Sequence, residues 1–261
     1  MKVTFDTNVW KRLVRGEQGS RPKWLVYVSY IRDKIVSGVI QPYICEIAIS
    51  LESIKKEKRL PFWRTYEPKI KNKELPNDGA TIRGKFTIGP NNEAHPGLPP
   101  ELKKDLNLAN RLGFKVLRMT NLGTVRSNEI PSEMLINFEN IESFWCYAEK
   151  LAQCSEFIRA LGFGASEYLK LKNEFGIESD LPFIILKKVE ASQKEIFIKA
   201  VAEWVDGDSL SAHFAYGNDV FCTEDKGKGA GGRSVFHRSN IIKVKEKFGL
   251  NILSVEELSK L

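Results

Sequence analysis

The first sixty residues switch between two hydrophobic periods, and that alternation constrains the fold more than any other feature of the chain. KVTF, Lys2–Phe5, is a short apolar run that stops at Asp6, Thr7 and Asn8. In RPKWLVYVSYIRDKIVSG, Trp24, Val28, Ile31 and Ile35 recur at helical spacing until Gly38. VIQPYI is again short and apolar, and Pro42 makes it read as a strand end passing into a loop. ICEIAISLESIKKEKR reads as a helix that begins apolar and finishes basic, as the helix dipole favours. Strand, helix, strand, helix is the opening of an α/β domain.

The same rhythm returns near the C-terminus. Ser192 and Glu195 have capping-box spacing ahead of IFIKAVAEWV, in which Phe197, Ala200, Val201 and Trp204 share a face. Asp208 reads as the start of a short helix, DSLSAHFAYG, ending at Gly217. The strand NDVFCT follows, with Asp219 as its turn residue and Thr223, Glu224 and Asp225 just past its end. The close, GLNILSVEELSKL, is a last strand and a small helix with Ser254 and Glu257 as a capping box.

Between these halves the composition changes. Seven of the eleven prolines lie in 61–100, so that stretch holds no long regular element. LGFKVLRMTNLG reads as a strand. NIESFWCYAEKLAQCSEFIRALG reads as a helix with Phe144, Trp145, Ala148, Leu151, Ile158 and Leu161 on one side. The expected organisation is a discontinuous α/β domain over 1–60 and 190–261, with 61–189 a mixed α/β insertion packed on or beside it.

The 261 residues carry 40 Lys and Arg against 33 Asp and Glu, a net charge of +7 and a pI near 9.1. That balance suits a polyanionic partner. No apolar run is long enough to span a membrane, and no signal-peptide core follows the N-terminus, so a cytoplasmic protein is expected. Cys45, Cys146, Cys154 and Cys222 form no CxxC pair and read as reduced thiols. With only His95, His213 and His237, a histidine-rich metal site is not expected.

Asp6 and Asp225 each follow an apolar strand. In a parallel open sheet, ligands bind outside the carboxyl ends of the strands, so both carboxylates can face one crevice. Glu46, early in its helix, and Asp208 can point there as well. Carboxylates gathered without Lys or Arg between them repel unless a hard cation with oxygen ligands joins them, and Mg²⁺ or Mn²⁺ fits that description. Such a cation supports phosphodiester hydrolysis.

FDTNVW, ICEIAISLE, DSLSAHFAYG and VFCTEDKG, in that order, resemble the acidic signatures of PIN-domain nucleases, and LNILSVEEL resembles their closing strand and helix. The resemblance covers about residues 1–60 and 190–261. It implies an α/β/α sandwich around a mostly parallel sheet and a Mg²⁺- or Mn²⁺-dependent ribonuclease. Asp6, Glu46, Asp208 and Asp225 are its metal-binding and catalytic acids, and Asn8 and Thr223 support them. RNA is the implied substrate, with DNA as an alternative and a non-catalytic RNA-binding protein of the same fold as another. A homodimer and an antitoxin-like inhibitor stay open; the central segment has no counterpart in the small toxin members, so toxin activity does not transfer.

Several positions have rivals. Asp208 doubles as a helix N-cap, and Asp206 could take either role. Glu52 competes with Glu46. Glu224 either joins the metal site or faces solvent. Asp105, in DLNLANRLGFKVL, copies the Asp208 pattern without an acid after the next strand and reads as a surface residue. His213, five residues after Asp208, reads as a packed helix histidine. KGKGAGGRS has no GxxxxGK[ST] arrangement and is not a nucleotide P-loop. Lys226, Lys228 and Arg233 could hold substrate phosphates, or the loop could be merely solvated. The basic runs KKEKR and KIKNK are usually solvated faces; beside Trp63 or Tyr66 they would suit single-stranded RNA.

Overall fold

The computed structural model describes residues 1–16, 22–64, 68–74, 84–90, 97–119, 129–162, 166–178, 185, 188–229 and 231–261. The chain opens with β1 (Lys2–Phe5), α1 (Thr7–Arg15), α2 (Pro22–Val36), β2 (Gln41–Cys45) and α3 (Glu46–Ser53). The central part supplies α4 (Arg59–Arg64), β3 (Pro68–Glu74), β4 (Gly84–Pro90), α5 (Pro100–Arg111), β5 (Lys115–Leu117), α6 (Ile141–Ala160) and α7 (Ser166–Glu174). It closes with α8 (Lys194–Ala215), β6 (Val220–Cys222), α9 (Arg238–Phe248), β7 (Ile252–Leu253) and α10 (Val255–Ser259).

Five strands form one sheet in the order β5-β2-β1-β6-β7, every pair parallel. Strand alternation divides their side chains between two helical layers. Val3, Phe5, Ile44, Val116, Val220 and Cys222 face a core with α1, α2, α5 and α10. Tyr43, Cys45, Leu117 and Phe221 face the opposite way, against α6, α8 and α9. The result is the expected α/β sandwich. β2 is a full strand flanked on both sides, where the proline suggested a strand running out into a loop. Pro42 lies beside β1 but ahead of the β5 ladder, which begins at Tyr43, and a proline is tolerated near the start of a strand.

Part of the central segment belongs to the sheet and its layers. β5 is an edge strand of the main sheet, α5 packs on α1, and α6 runs along α8, so much of 98–160 is part of the sandwich. β3 and β4 form their own antiparallel ribbon. Three local expectations are corrected. Trp145 is 63% exposed, because the buried stripe of α6 is Tyr147, Leu151, Cys154 and Ile158. Ser192 and Glu195 form no capping box; α8 begins after Gln193 with no side-chain cap. Asp105 is buried, not superficial: it faces α1, where Arg15 binds both its oxygens, Nε at 2.8 Å and Nη2 at 2.5 Å. The four cysteines are free, three of them buried. Among the described residues no helix is long and apolar enough to cross a membrane.

Candidate metal centre at the ends of β1 and β6

From β1 the sheet grows toward β2 and β5 on one side and toward β6 and β7 on the other. The crevice between the carboxyl ends of β1 and β6 is therefore the topological switch point, the usual ligand site of an open α/β sheet.

Asp6 leaves β1 as the N-cap of α1, its Oδ1 accepting the Thr7 N–H at 2.6 Å. Its Oδ2 accepts from Asn8 Nδ2 at 2.7 Å and from the Thr223 hydroxyl at 2.6 Å. Asn8 also accepts the Glu224 N–H at 3.1 Å, and Thr223 Oγ1 accepts the Asp225 N–H at 3.0 Å. Asn8 and Thr223 thus stitch the two strand ends together around one carboxylate. Burial raises the Asp6 carboxyl above its ordinary range. The hydrogen bonds from Thr223, Thr7 and Asn8 oppose the rise, and the charge of Asp225 adds to it. Asp225 is exposed and turns one oxygen, Oδ1, back to its own loop, accepting the Gly227 N–H at 2.7 Å. Glu224 points the other way: its Oε1 accepts the Val255 N–H at the start of α10, 2.8 Å away.

The third acid differs from the sequence expectation. Neither Asp206 nor Asp208 starts a helix, because α8 runs unbroken from Lys194 to Ala215. Gly207, which suggests a break, serves packing instead: an added Cβ would stand 3.2 Å from Ile158 Cγ2, so α6 approaches the helix there. Two residues along a helix turn the side chain by about 200°. Asp206 shares a face with Glu203 and feels the charges of Asp6, Glu203 and Asp225, which add to burial in holding its carboxyl well above the usual range. Asp208 lies on the opposite face, 4% exposed, near Arg159 and hydrogen-bonded to the Trp204 side chain. Burial pushes it up to about 7 against the pull of Arg159, and its Oδ2 has no hydrogen-bond partner.

Glu46 is also turned elsewhere. It is the first residue of α3, 2% exposed, with Oε2 accepting the Met119 N–H at 3.2 Å just past β5. Its rival Glu52 is ion-paired with Lys11. His213 is packed as expected: Nδ1 meets Thr4 Oγ1 at 2.9 Å, and burial lowers its pKa to about 4.

Glu203 is the site residue that the sequence reading missed. It lies one turn before Asp206, is hydrogen-bonded by Ser234, and keeps Oε2 buried without a partner. Burial raises its carboxyl, Asp225 adds to the rise, and Arg233 opposes it. The signal is E-W-V-D, an i,i+3 pair on one helix face, visible only once the helix is taken as continuous. Lys226, Lys228 and Arg233 are exposed on the loop after Asp225. Tyr66 lies outside the described residues, as do the side chains of Trp63 and of KIKNK.

The donor set fits a hard cation. Asp6, Asp206 and Asp225 offer oxygen alone, and an orphaned carboxylate oxygen of Glu203 lies in the same electrostatic neighbourhood. Among the described residues, however, no three His, Cys, Asp or Glu side chains are drawn together closely enough to form a metal-binding group. Compared with protein-family models, curated proteins and solved structures, the chain has no match.

Proposed function

We propose that this chain is a PIN-like, Mg²⁺- or Mn²⁺-dependent nuclease that hydrolyses phosphodiester bonds in RNA. The observation that supports the reading is that Asp6 and Asp225 follow the adjacent strands β1 and β6 at the switch-point crevice, with Asp206 on α8 within electrostatic reach of both. Asp6, Asp206 and Asp225 would hold the cation, with Asp206 in the place the sequence resemblance gave to Asp208. A divalent cation bound there supplies Lewis-acid charge to a phosphoryl oxygen and acidifies a water molecule. The chain's own part is to orient and to bind. Asn8 and Thr223 fix the Asp6 carboxylate, and the exposed Lys226, Lys228 and Arg233 would meet the substrate's phosphates.

The test is cleavage of labelled single-stranded RNA, duplex DNA and flapped DNA, each with Mn²⁺ and with EDTA, by wild type and Asp206→Asn. The reading expects Mn²⁺-dependent cleavage of RNA that falls at least a hundredfold in the variant. Equal cleavage by the two proteins would refute it. One observation favours a second reading, a non-catalytic RNA-binding protein of this fold: the described acids do not close into a chelating group. RNA binding in EDTA without hydrolysis in Mn²⁺ would select that reading.

A further inference from the structure

The loop after Asp225 is built rather than slack. Gly227 receives its turn from Asp225, Gly231 N–H donates to Gly227 O at 2.8 Å, and Ser234 N–H donates to Gly231 O at 3.0 Å. Gly227 has φ +64°, and a Cβ there would lie 2.5 Å from the backbone nitrogen of His237, so the two ends of the loop are pressed together where only glycine fits. Two anchors hold it from outside. Asn240 on α9, 4% exposed, donates its amide to both Gly232 O and Ser234 O, each at 2.8 Å. Ser234, 1% exposed, is hydrogen-bonded to Glu203 one turn before Asp206. Arg233 is the residue between Gly232 and Ser234, the two carbonyls that Asn240 binds, and its side chain is exposed within electrostatic reach of Glu203.

We infer that residues 226–229 and 231–237 form a preformed clamp for the phosphodiester backbone of a single RNA strand, in which Arg233 makes the phosphate contact and Asn240 and Ser234 are its positioning residues. The identity of the polyanion rests on the proposed nuclease reading; the clamp itself does not need hydrolysis. A guanidinium fork suits a phosphate bidentately. A loop already fixed by its own hydrogen bonds loses little freedom when it binds, which favours affinity. Glu203 ties the clamp to the helix that carries Asp206, so the phosphate contact and the acids keep one spacing.

The experiment is anisotropy titration of a fluorescein-labelled oligouridylate in EDTA over a range of salt concentrations. It compares wild type, Arg233→Gln, Arg233→Lys, Asn240→Ala and Ser234→Ala. Arg233→Gln is expected to weaken binding about tenfold and to lower the slope of log K against log salt by about 0.7, one phosphate contact on a single strand. Arg233→Lys should restore the slope. Asn240→Ala and Ser234→Ala should weaken binding severalfold although Arg233 is still present, and raise KM more than they lower kcat. Unchanged affinity and slope in Arg233→Gln would overturn the clamp, as would no RNA binding by wild type. Asn240→Ala and Ser234→Ala proteins that melt earlier yet bind normally would overturn the positioning role. Wild type that binds RNA with the expected salt slope but never cleaves it would leave the clamp supported and remove the nuclease reading.

Discussion

Asp206 and Asp208 are two residues apart on one helix and face opposite environments. Asp206 is within electrostatic reach of Asp6 and Asp225, whereas Asp208 is buried near Arg159 of α6. Substitution by Asn should separate them. In Asp206→Asn, a carboxylate crowded by like charges becomes neutral, and the metal-free protein should gain about 1 kcal/mol in denaturant unfolding while losing RNA cleavage. A loss of stability in that variant would count against the crowding.

Asp6→Asn should behave differently. Asp6 accepts three hydrogen bonds, and an amide NH₂ in place of Oδ2 accepts from neither Asn8 nor Thr223. Relief of repulsion is outweighed by the lost acceptor, and a net destabilisation of about 1 kcal/mol is expected. Urea unfolding of the two variants side by side should give opposite signs.

Glu46 is expected to serve the fold more than the chemistry. Glu46→Gln keeps an acceptor for the Met119 N–H and should retain cleavage within about tenfold of wild type. Glu46→Ala strands a buried N–H and should cost about 2 kcal/mol. Abolished Mn²⁺ binding in Glu46→Gln would return this residue to the metal site.

Arg15→Ala leaves the Asp105 carboxylate, 3% exposed, without its partner. Breaking such a pair from the exposed side should cost about 2 kcal/mol. That is less than for a fully buried pair, because the Arg15 side chain is 41% exposed. Asp105→Asn paired with Arg15→Ala in a double-mutant cycle would measure the coupling.

His213 gives a pH signature. Its pKa is about 4 in the folded chain against about 6.5 when unfolded, so between these values the unfolded state binds the extra proton. Its contribution is constant above pH about 6.5 and is lost as pH falls toward 4, on the order of 3 kcal/mol in all. His213→Gln should flatten that limb in urea unfolding at several pH values; an unchanged slope would place the proton elsewhere.

What was legible in the sequence was local. Asp6 and Asp225 stand out because each lies just past a short apolar strand, Asp6 immediately and Asp225 three residues on, and the structure brings those strands side by side. Glycine flanked by two aspartates, in contrast, looks like a helix boundary. Nothing local reveals that Gly207 admits Ile158 from a helix about fifty residues earlier, so the sequence suggests a break where the helix is in fact continuous and closely packed. Asp105 failed for the same reason, since its partner Arg15 is 90 residues away. β5 is only three residues long, and its place at the sheet edge depends on non-local pairing with Tyr43–Cys45.

The central claim is that Asp6, Asp206 and Asp225 hold a divalent cation, and Mn²⁺ calorimetry at neutral pH on wild type, Asp206→Asn and Asp208→Asn tests it most directly. The account predicts saturable binding in wild type and Asp208→Asn and none in Asp206→Asn. Binding that survives in Asp206→Asn but disappears in Asp208→Asn, or is missing from all three proteins, would contradict it.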